Sequence, residues 1–242
     1  MNKTLVKSFV TAGLLFLLLL TIPAHAGSIN KSVKIGAGSE SDGASSVNGS
    51  VTVGAGATVD GDVETVNGTI RIDENATIRD AETVNGTLRV AMGVKADSLA
   101  TVNGAIRIDE NVTVDGNVEA VNGSIKVATG SQIARDLSNV NGDIELAGSE
   151  IGGDVTTVNG DVELSDGALI KGNLIIEKPG GFNWLGKKSR KPKIVIGPGS
   201  EVQGTIRLER EVKLYISESA KVGGVSGEMN LADAIRFSGE HP

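Results

Sequence analysis

Val66-Asn67-Gly68-Thr69-Ile70-Arg71-Ile72-Asp73-Glu74-Asn75-Ala76-Thr77-Ile78-Arg79-Asp80-Ala81-Glu82-Thr83-Val84-Asn85-Gly86-Thr87-Leu88-Arg89-Val90 spans one full period of a repeat and enters the next. Its opening tripeptide, Val-Asn-Gly, recurs with the Val at positions 47, 66, 84, 102, 121, 140 and 158, in steps of 18 or 19 residues. A short period kept over this many copies marks a solenoid. A finer beat of six runs inside it, through Val66, Ile72, Ile78 and Val84 and on through Val90, Ala96 and Val102. Three six-residue segments per turn predict a triangular coil with the beat residues inward. In Ile70-Arg71-Ile72, Leu88-Arg89-Val90 and Ile106-Arg107-Ile108 the alternation turns two aliphatics inward and one cation outward. A period of 18 also fits five helical turns, but the Gly density, the Asn-Gly pairs and the β-branched bias exclude a helix. The predicted fold is all-β: a single-stranded parallel β-helix, triangular in section, with 18–19 residues per coil. Val33 to Val222 leaves room for roughly ten coils at ~4.8 Å each, a rod on the order of 50 Å long.

The composition agrees. The chain has 33 Gly and 2% aromatic residues, so its core must be narrow and built from β-branched side chains, with Gly and Asn at tight corners. A single coil buries almost nothing, so stability has to come from stacking.

The N-terminus reads as an export leader. Lys3 and Lys7 precede an apolar run from Phe9 to Ile22, then Pro23 and the small-residue site Ala24-His25-Ala26. Cleavage after Ala26 is expected, since the run is shorter than the ~20 residues of a spanning helix. The alternative is an uncleaved anchor. Periplasm or cell envelope is the expected location. Loss of Lys3 and Lys7 from the 23 basic residues leaves 21 against 30 acids, a net charge of −9. That balance argues against nucleic acid as a partner. With no Cys in the chain, no disulfide can staple it. The expected organisation is a leader over residues 1–26, a lead-in over 27–45, the β-helix over 46–225 and a C-terminal tail or cap over 226–242.

The asparagines of the tripeptide, Asn48, Asn67, Asn85, Asn103, Asn122, Asn141 and Asn159, must stack into a column. The structural reading is a corner ladder: Asn tolerates left-handed backbone, the following Gly removes a Cβ clash, and stacked amides hydrogen-bond between coils. The functional reading is a binding stripe or a glycan acceptor, as Asn48-Gly49-Ser50 and Asn67-Gly68-Thr69 fit the N-glycosylation pattern. The ladder is favoured because the Asn also occurs in Asn103-Gly104-Ala105 and Asn141-Gly142-Asp143, where no Ser or Thr follows.

In this pattern the chain resembles the bactofilins, the bacterial polymer-forming cytoskeletal family. The resemblance lies in units such as Val59-Asp60-Gly61-Asp62-Val63, Val114-Asp115-Gly116-Asn117-Val118, Ile170-Lys171-Gly172-Asn173-Leu174 and Val202-Gln203-Gly204-Thr205-Ile206, over residues 45 to 225. It implies a right-handed coil and subunits that join end to end without a nucleotide. The export leader, a basic insertion and a C-terminal extension depart from the usually cytoplasmic family. A weaker resemblance, through Val158-Asn159-Gly160-Asp161-Val162, is to exported adhesin-type head domains.

The beat breaks over residues 177–193. This stretch holds six basic residues, the only Trp, and no acid after Glu177. Phe182, Trp184, Lys187, Lys188, Arg190 and Lys191 are the candidate binding residues, since long loops on regular scaffolds carry function. The alternative is that Phe182 and Trp184 fold back onto the rod. The outward positions Thr52, Arg71, Arg89, Arg107, Lys126, Glu145 and Glu163 share one face and change sign along it. Glu64, Glu82 and Glu119, each seven residues before a cation, are expected to neutralise it across a corner. Toward the end, Val212 to Ile216 reads as a further strand, Asn230 to Ile235 as a short helical turn, and Phe237 as a cover for the last coil.

An enzyme is not expected. The only histidines are His25 and His241, and there is no Cys, so neither a nucleophile–His pair nor a His/Cys metal cluster is available. The acid pairs Asp60/Asp62, Asp73/Glu74 and Asp109/Glu110 recur with the period and read as turn residues. Gly36-Ala37-Gly38 and Gly54-Ala55-Gly56 lack the Lys-Ser/Thr and helix of a phosphate loop. No cofactor, metal or small-molecule substrate is expected. The sequence favours a non-catalytic envelope scaffold that associates with itself. The alternative is an exported binding module for an envelope polymer or membrane surface, using the 177–193 loop or the charged face.

Overall fold

The computed structural model describes residues 27–180 and 190–242. It is a parallel β-solenoid in which each coil contributes three short strands. The first face begins with Glu40–Ser41, Thr58–Val59 and Thr77–Ile78. The second begins with Gly27–Ser28, Ala44–Ser46, Val63–Asn67 and Asp80–Asn85. The third is an eleven-stranded sheet from Val33–Ile35 through Ile70–Ile72 to Ile235–Phe237. Every pairing among the described residues is parallel, and the pairings keep step with the repeat, as in Leu88↔Ile106, Arg89↔Arg107 and Val90↔Ile108, except that Glu201–Leu208 shifts register against Lys221–Gly227 between Val202 and Thr205. The only helical element among the described residues is a 3-10 turn, Leu231–Asp233, capped by Asn230.

The repeat extends beyond its recognisable copies. Gly27–Ser28 pairs with Ser45 and Ser46, and Val33–Ile35 with Val51–Val53. Residues 27–45, expected as a lead-in, therefore form a coil. Lys34 alternates outward between Val33 and Ile35 like later coil residues, although no Val-Asn-Gly precedes it. At the other end, Ile235–Phe237 of the expected tail pairs with Tyr215–Ser217. Met229 and Ala234, not Phe237, pack against the end of the core.

Two aliphatics per coil on the third face and their counterparts on the other faces fill the interior. One column runs from Ile35 through Ile72, Ile108 and Leu146 to Ile216, each under 8% exposed. Arg236 occupies the next register position, opposite Ile216. Its side chain is exposed there, so a further coil stacked on that end would have to bury a charge.

The six-beat is out of phase at the Val of Val-Asn-Gly in every copy but the last, where Val158 is buried beside Thr157. Val66, Val84, Val102, Val121 and Val140 are half-exposed, and the buried residue is the one before: Thr65, Thr83, Thr101, Ala120 and Asn139. A hydroxyl fits there because a carbonyl waits for it. Thr65 donates to the Gly49 carbonyl (2.8 Å), Thr83 to that of Gly68 (3.2 Å) and Thr101 to that of Gly86 (3.2 Å). Pairing removes the cost of burying the hydroxyl. Asn139 breaks the pattern by donating to both Gly123 (2.8 Å) and Gly142 (2.7 Å). It thereby occupies the carbonyl that the column rule assigns to Thr157, whose hydroxyl has no partner.

Candidate functional site

The asparagine column lies at the corner between the second and third faces. Each Nδ2 donates to the Oδ1 one coil below: Asn67 to Asn48, Asn85 to Asn67, Asn103 to Asn85, Asn122 to Asn103 and Asn141 to Asn122 at 2.9 Å, and Asn159 to Asn141 at 3.1 Å. The backbone reason differs from the one expected. Among the described residues, the left-handed non-glycine residues are Asn75, Asn111 and Asp166, at another corner. The ladder asparagines from Asn67 to Asn159 are strand ends, and Asn48 lies just past the strand Ala44–Ser46. The glycine after each is required by closeness of coils: a Cβ on Gly86 or Gly104 would overlap the carbonyl oxygen of the glycine one coil below, Gly68 or Gly86.

Sequence reasoning missed both ends of this ladder. Asn30, outside any Val-Asn-Gly, accepts from Asn48 (3.0 Å). Arg210 closes the other end, donating to Asn159 Oδ1 (3.0 Å) and the Val158 carbonyl (3.1 Å). Glu209 N–H bonds the Ile176 carbonyl, which puts Arg210 at the asparagine position of its own coil. The coil between them has residues 177–192 where the tripeptide would stand, and the long guanidinium reaches across it. Arg210 also donates to the Arg190 carbonyl (2.9 Å), so it ties the end of the insertion to the ladder.

Of the six candidate binding residues, Phe182, Trp184, Lys187 and Lys188 lie outside the described residues. Arg190 and Lys191 are engaged within the chain, Arg190 with Asp161 and Lys191 with Glu211 (2.5 Å). Asp161 also accepts from the Lys193 N–H (2.8 Å). These ion pairs hold the insertion's return to the third face.

A second ladder, also missed, runs up the corner between the first and second faces. Asn117 Oδ1 accepts from Asp136 N–H (3.3 Å), Asp136 from Asp154 N–H (2.8 Å), Asp154 from Asn173 N–H (2.7 Å) and Asn173 from Thr205 N–H (3.0 Å). The 19, 18 and 19 residue steps between the first four were the available signal.

The charged columns are separate. Thr52, Arg71, Arg89, Arg107, Lys126, Glu145 and Glu163 stack on the third face. Arg71 bonds Asp73 (2.6 Å) on its own coil, and Lys126 bonds Glu145 (2.6 Å) on the next. The expected pairing across the corner with Glu64 and Glu82 does not form. Those two stack on each other on the second face, beside Asp62 and Asp80. Burial, then the charges of Glu64, Asp80, Asp62 and Glu119, push the Glu82 carboxyl up to about 8. Burial and Asp62 raise Glu64 as well.

This raised pKa sets the sign of a pH dependence. The folded chain holds the Glu82 proton more tightly than the unfolded chain, so its contribution to stability is intact below about 4.5 and lost as pH climbs to about 8. Glu82→Gln is expected to melt like the parent at pH 4 and to be more stable at pH 8. The gain should be about 1–3 kcal/mol after solvent screening of a partly exposed group. Thermal melts of both chains at the two pH values read it; an equal difference at both would exclude this assignment.

Among the described residues no group of three or more His, Cys, Asp or Glu is placed to hold a metal ion, and no helix is long and apolar enough to cross a membrane. His241 lies 3.9 Å from Glu163 on the surface. The chain matches no protein-family model, and comparison with curated proteins and with solved structures gives no match.

Proposed function

We propose that this chain is a non-catalytic structural rod of the bacterial cell envelope that associates with itself through its N-terminal coil. The observation that carries this reading is the difference between the two ends. At the C-terminal end Arg236 stands over the aliphatic column, with Met229 and Ala234 against the core. At the other end, among the described residues, Val33–Ile35 has a strand on one side only, as Ile235–Phe237 does, but its flanking register positions are the aliphatics Val33 and Ile35 with no charge, and Ile29 beside it is 68% exposed against 53% for Ile235. Unpaired strand edges with adjacent apolar surface pair with other chains. The bactofilin-like pattern and the leader-like N-terminus support this class and compartment.

Val33 N–H donates to Ser50, and the Ile35 carbonyl accepts from Gly54, so alternation turns the N–H and C=O of Lys34 to the open side. Lys34→Pro removes that outward donor and leaves the internal ladder intact. Small-angle scattering and sedimentation of the exported, processed chain are expected to show rods about twice the ~50 Å monomer length. The Lys34→Pro chain should be single rods. A strictly monomeric parent at high concentration would overturn this reading. Envelope binding lost on replacing Trp184, Lys187 and Lys188 would then favour the binding module.

A further inference from the structure

We propose that the second and third faces of the rod are complementary surfaces for side-by-side contact between two copies of this chain, the acidic column of one lying against the cationic column of the other. On the third face Arg71, Arg89, Arg107 and Lys126 occupy four successive coils, all exposed. Asp73 engages Arg71 and Glu145 engages Lys126, while Arg89 and Arg107 have no ion-pair partner among the described residues. On the second face Glu64, Glu82, Ala100 and Glu119 occupy the same four coils.

The acidic column is electrostatically unfavourable in the lone chain. Glu64 and Glu82 are half-buried, one above the other, with Asp62 and Asp80 alongside. Arg79, near Asp80, is shared with Asp97 at 3.9 Å. Two oppositely charged columns on adjacent faces of a rigid rod cannot reach one another, but a neighbour's can. Laid column to column, Glu64, Glu82 and Glu119 meet Arg71, Arg89 and Lys126 when the rods run the same way. They meet Lys126, Arg107 and Arg71 when they run oppositely. In both cases every acid finds a cation, because both columns repeat at the ~4.8 Å coil spacing. Slipping parallel rods by one coil sets Glu119 against Glu145 in one direction and leaves Lys126 facing Ser138 in the other. Four levels cover roughly 200–300 Å² per copy, far below a stable interface. The contact is therefore weak in a single pair and sensitive to salt.

Small-angle scattering at high protein concentration separates this contact, which thickens the rod, from the end contact, which lengthens it. The full chain's cross-section is expected to grow at low salt and return to that of one rod at high salt. Two charge-reversed chains, Arg89→Glu with Arg107→Glu and Glu64→Lys with Glu82→Lys, should each stay thin at low salt. An equimolar mixture should thicken again, because each chain then offers the face its partner needs. Lys34→Pro should thicken normally while remaining single in length. Circular dichroism checks folding, and Glu64→Lys with Glu82→Gln replaces the second chain should it misfold. A parent that stays thin at low salt, or a folded mixture that does, overturns the proposal.

Discussion

Leu99→Asp is expected to destroy cooperative folding of the central coils, while Val102→Asp, three residues along the same strand, leaves the solenoid folded. Leu99 is fully buried, with Ala81 and Val118 as its register neighbours on either side. A carboxylate there has no cation and no donor in a wall of aliphatics, which costs several kcal/mol or forces protonation. In a stacked-repeat protein that loss falls on both interfaces of one coil and uncouples the two halves of the rod. Val102 stands half-exposed at the corner, where an ionised side chain keeps its water, so the expected loss is about 1 kcal/mol or less. Urea melts followed by circular dichroism rank the two. Equal damage from both would put the Val of Val-Asn-Gly back in the core.

That comparison marks where the sequence could be read and where it could not. The period and the alternation at Ile70-Arg71-Ile72 follow from side-chain geometry alone, so the three strands per coil and the outward cation column were legible. The inward place of Thr65, Thr83 and Thr101 was not, because hydropathy assigns the neighbouring Val to the core. Only the glycine carbonyls one coil away reverse that choice. The terminal coils were hidden for a related reason. Asn30 and Arg210 continue the corner column without the tripeptide around them, and register alone identifies them. The acids of Glu64 and Glu82 looked like partners for Arg71 and Arg89 at a seven-residue spacing. The chain turns a corner inside those seven residues, so the two columns face different directions.

Gly104→Ala is expected to be far more damaging than Asn103→Ala, although the ladder hydrogen bonds belong to the asparagine. Asn103 is exposed, and removing its amide interrupts one link in each direction, to Asn85 and from Asn122, both 2.9 Å. Water replaces those partners, so the expected cost is about 1–2 kcal/mol. A methyl group at position 104 meets a different obstacle. Its Cβ would overlap the Gly86 carbonyl oxygen and carbon, backbone atoms that cannot rotate away as a side chain would. Gly104 N–H also donates to the Asn122 carbonyl (2.9 Å), so moving this corner outward breaks the bond to the coil above. The clash therefore has to be relieved by separating two coils along the rod. That separation strains the Thr101 hydrogen bond to the same Gly86 carbonyl (3.2 Å) and the packing of Ile106 beneath its neighbours. A loss of about 3 kcal/mol or more is expected, at the upper end for overpacking. Melts of the two single variants and the double test it. If Asn103→Ala proves the more costly, the column is held by its amides; if Gly104→Ala does, the recurring Gly is what permits ~4.8 Å stacking and the Asn is an addition to it.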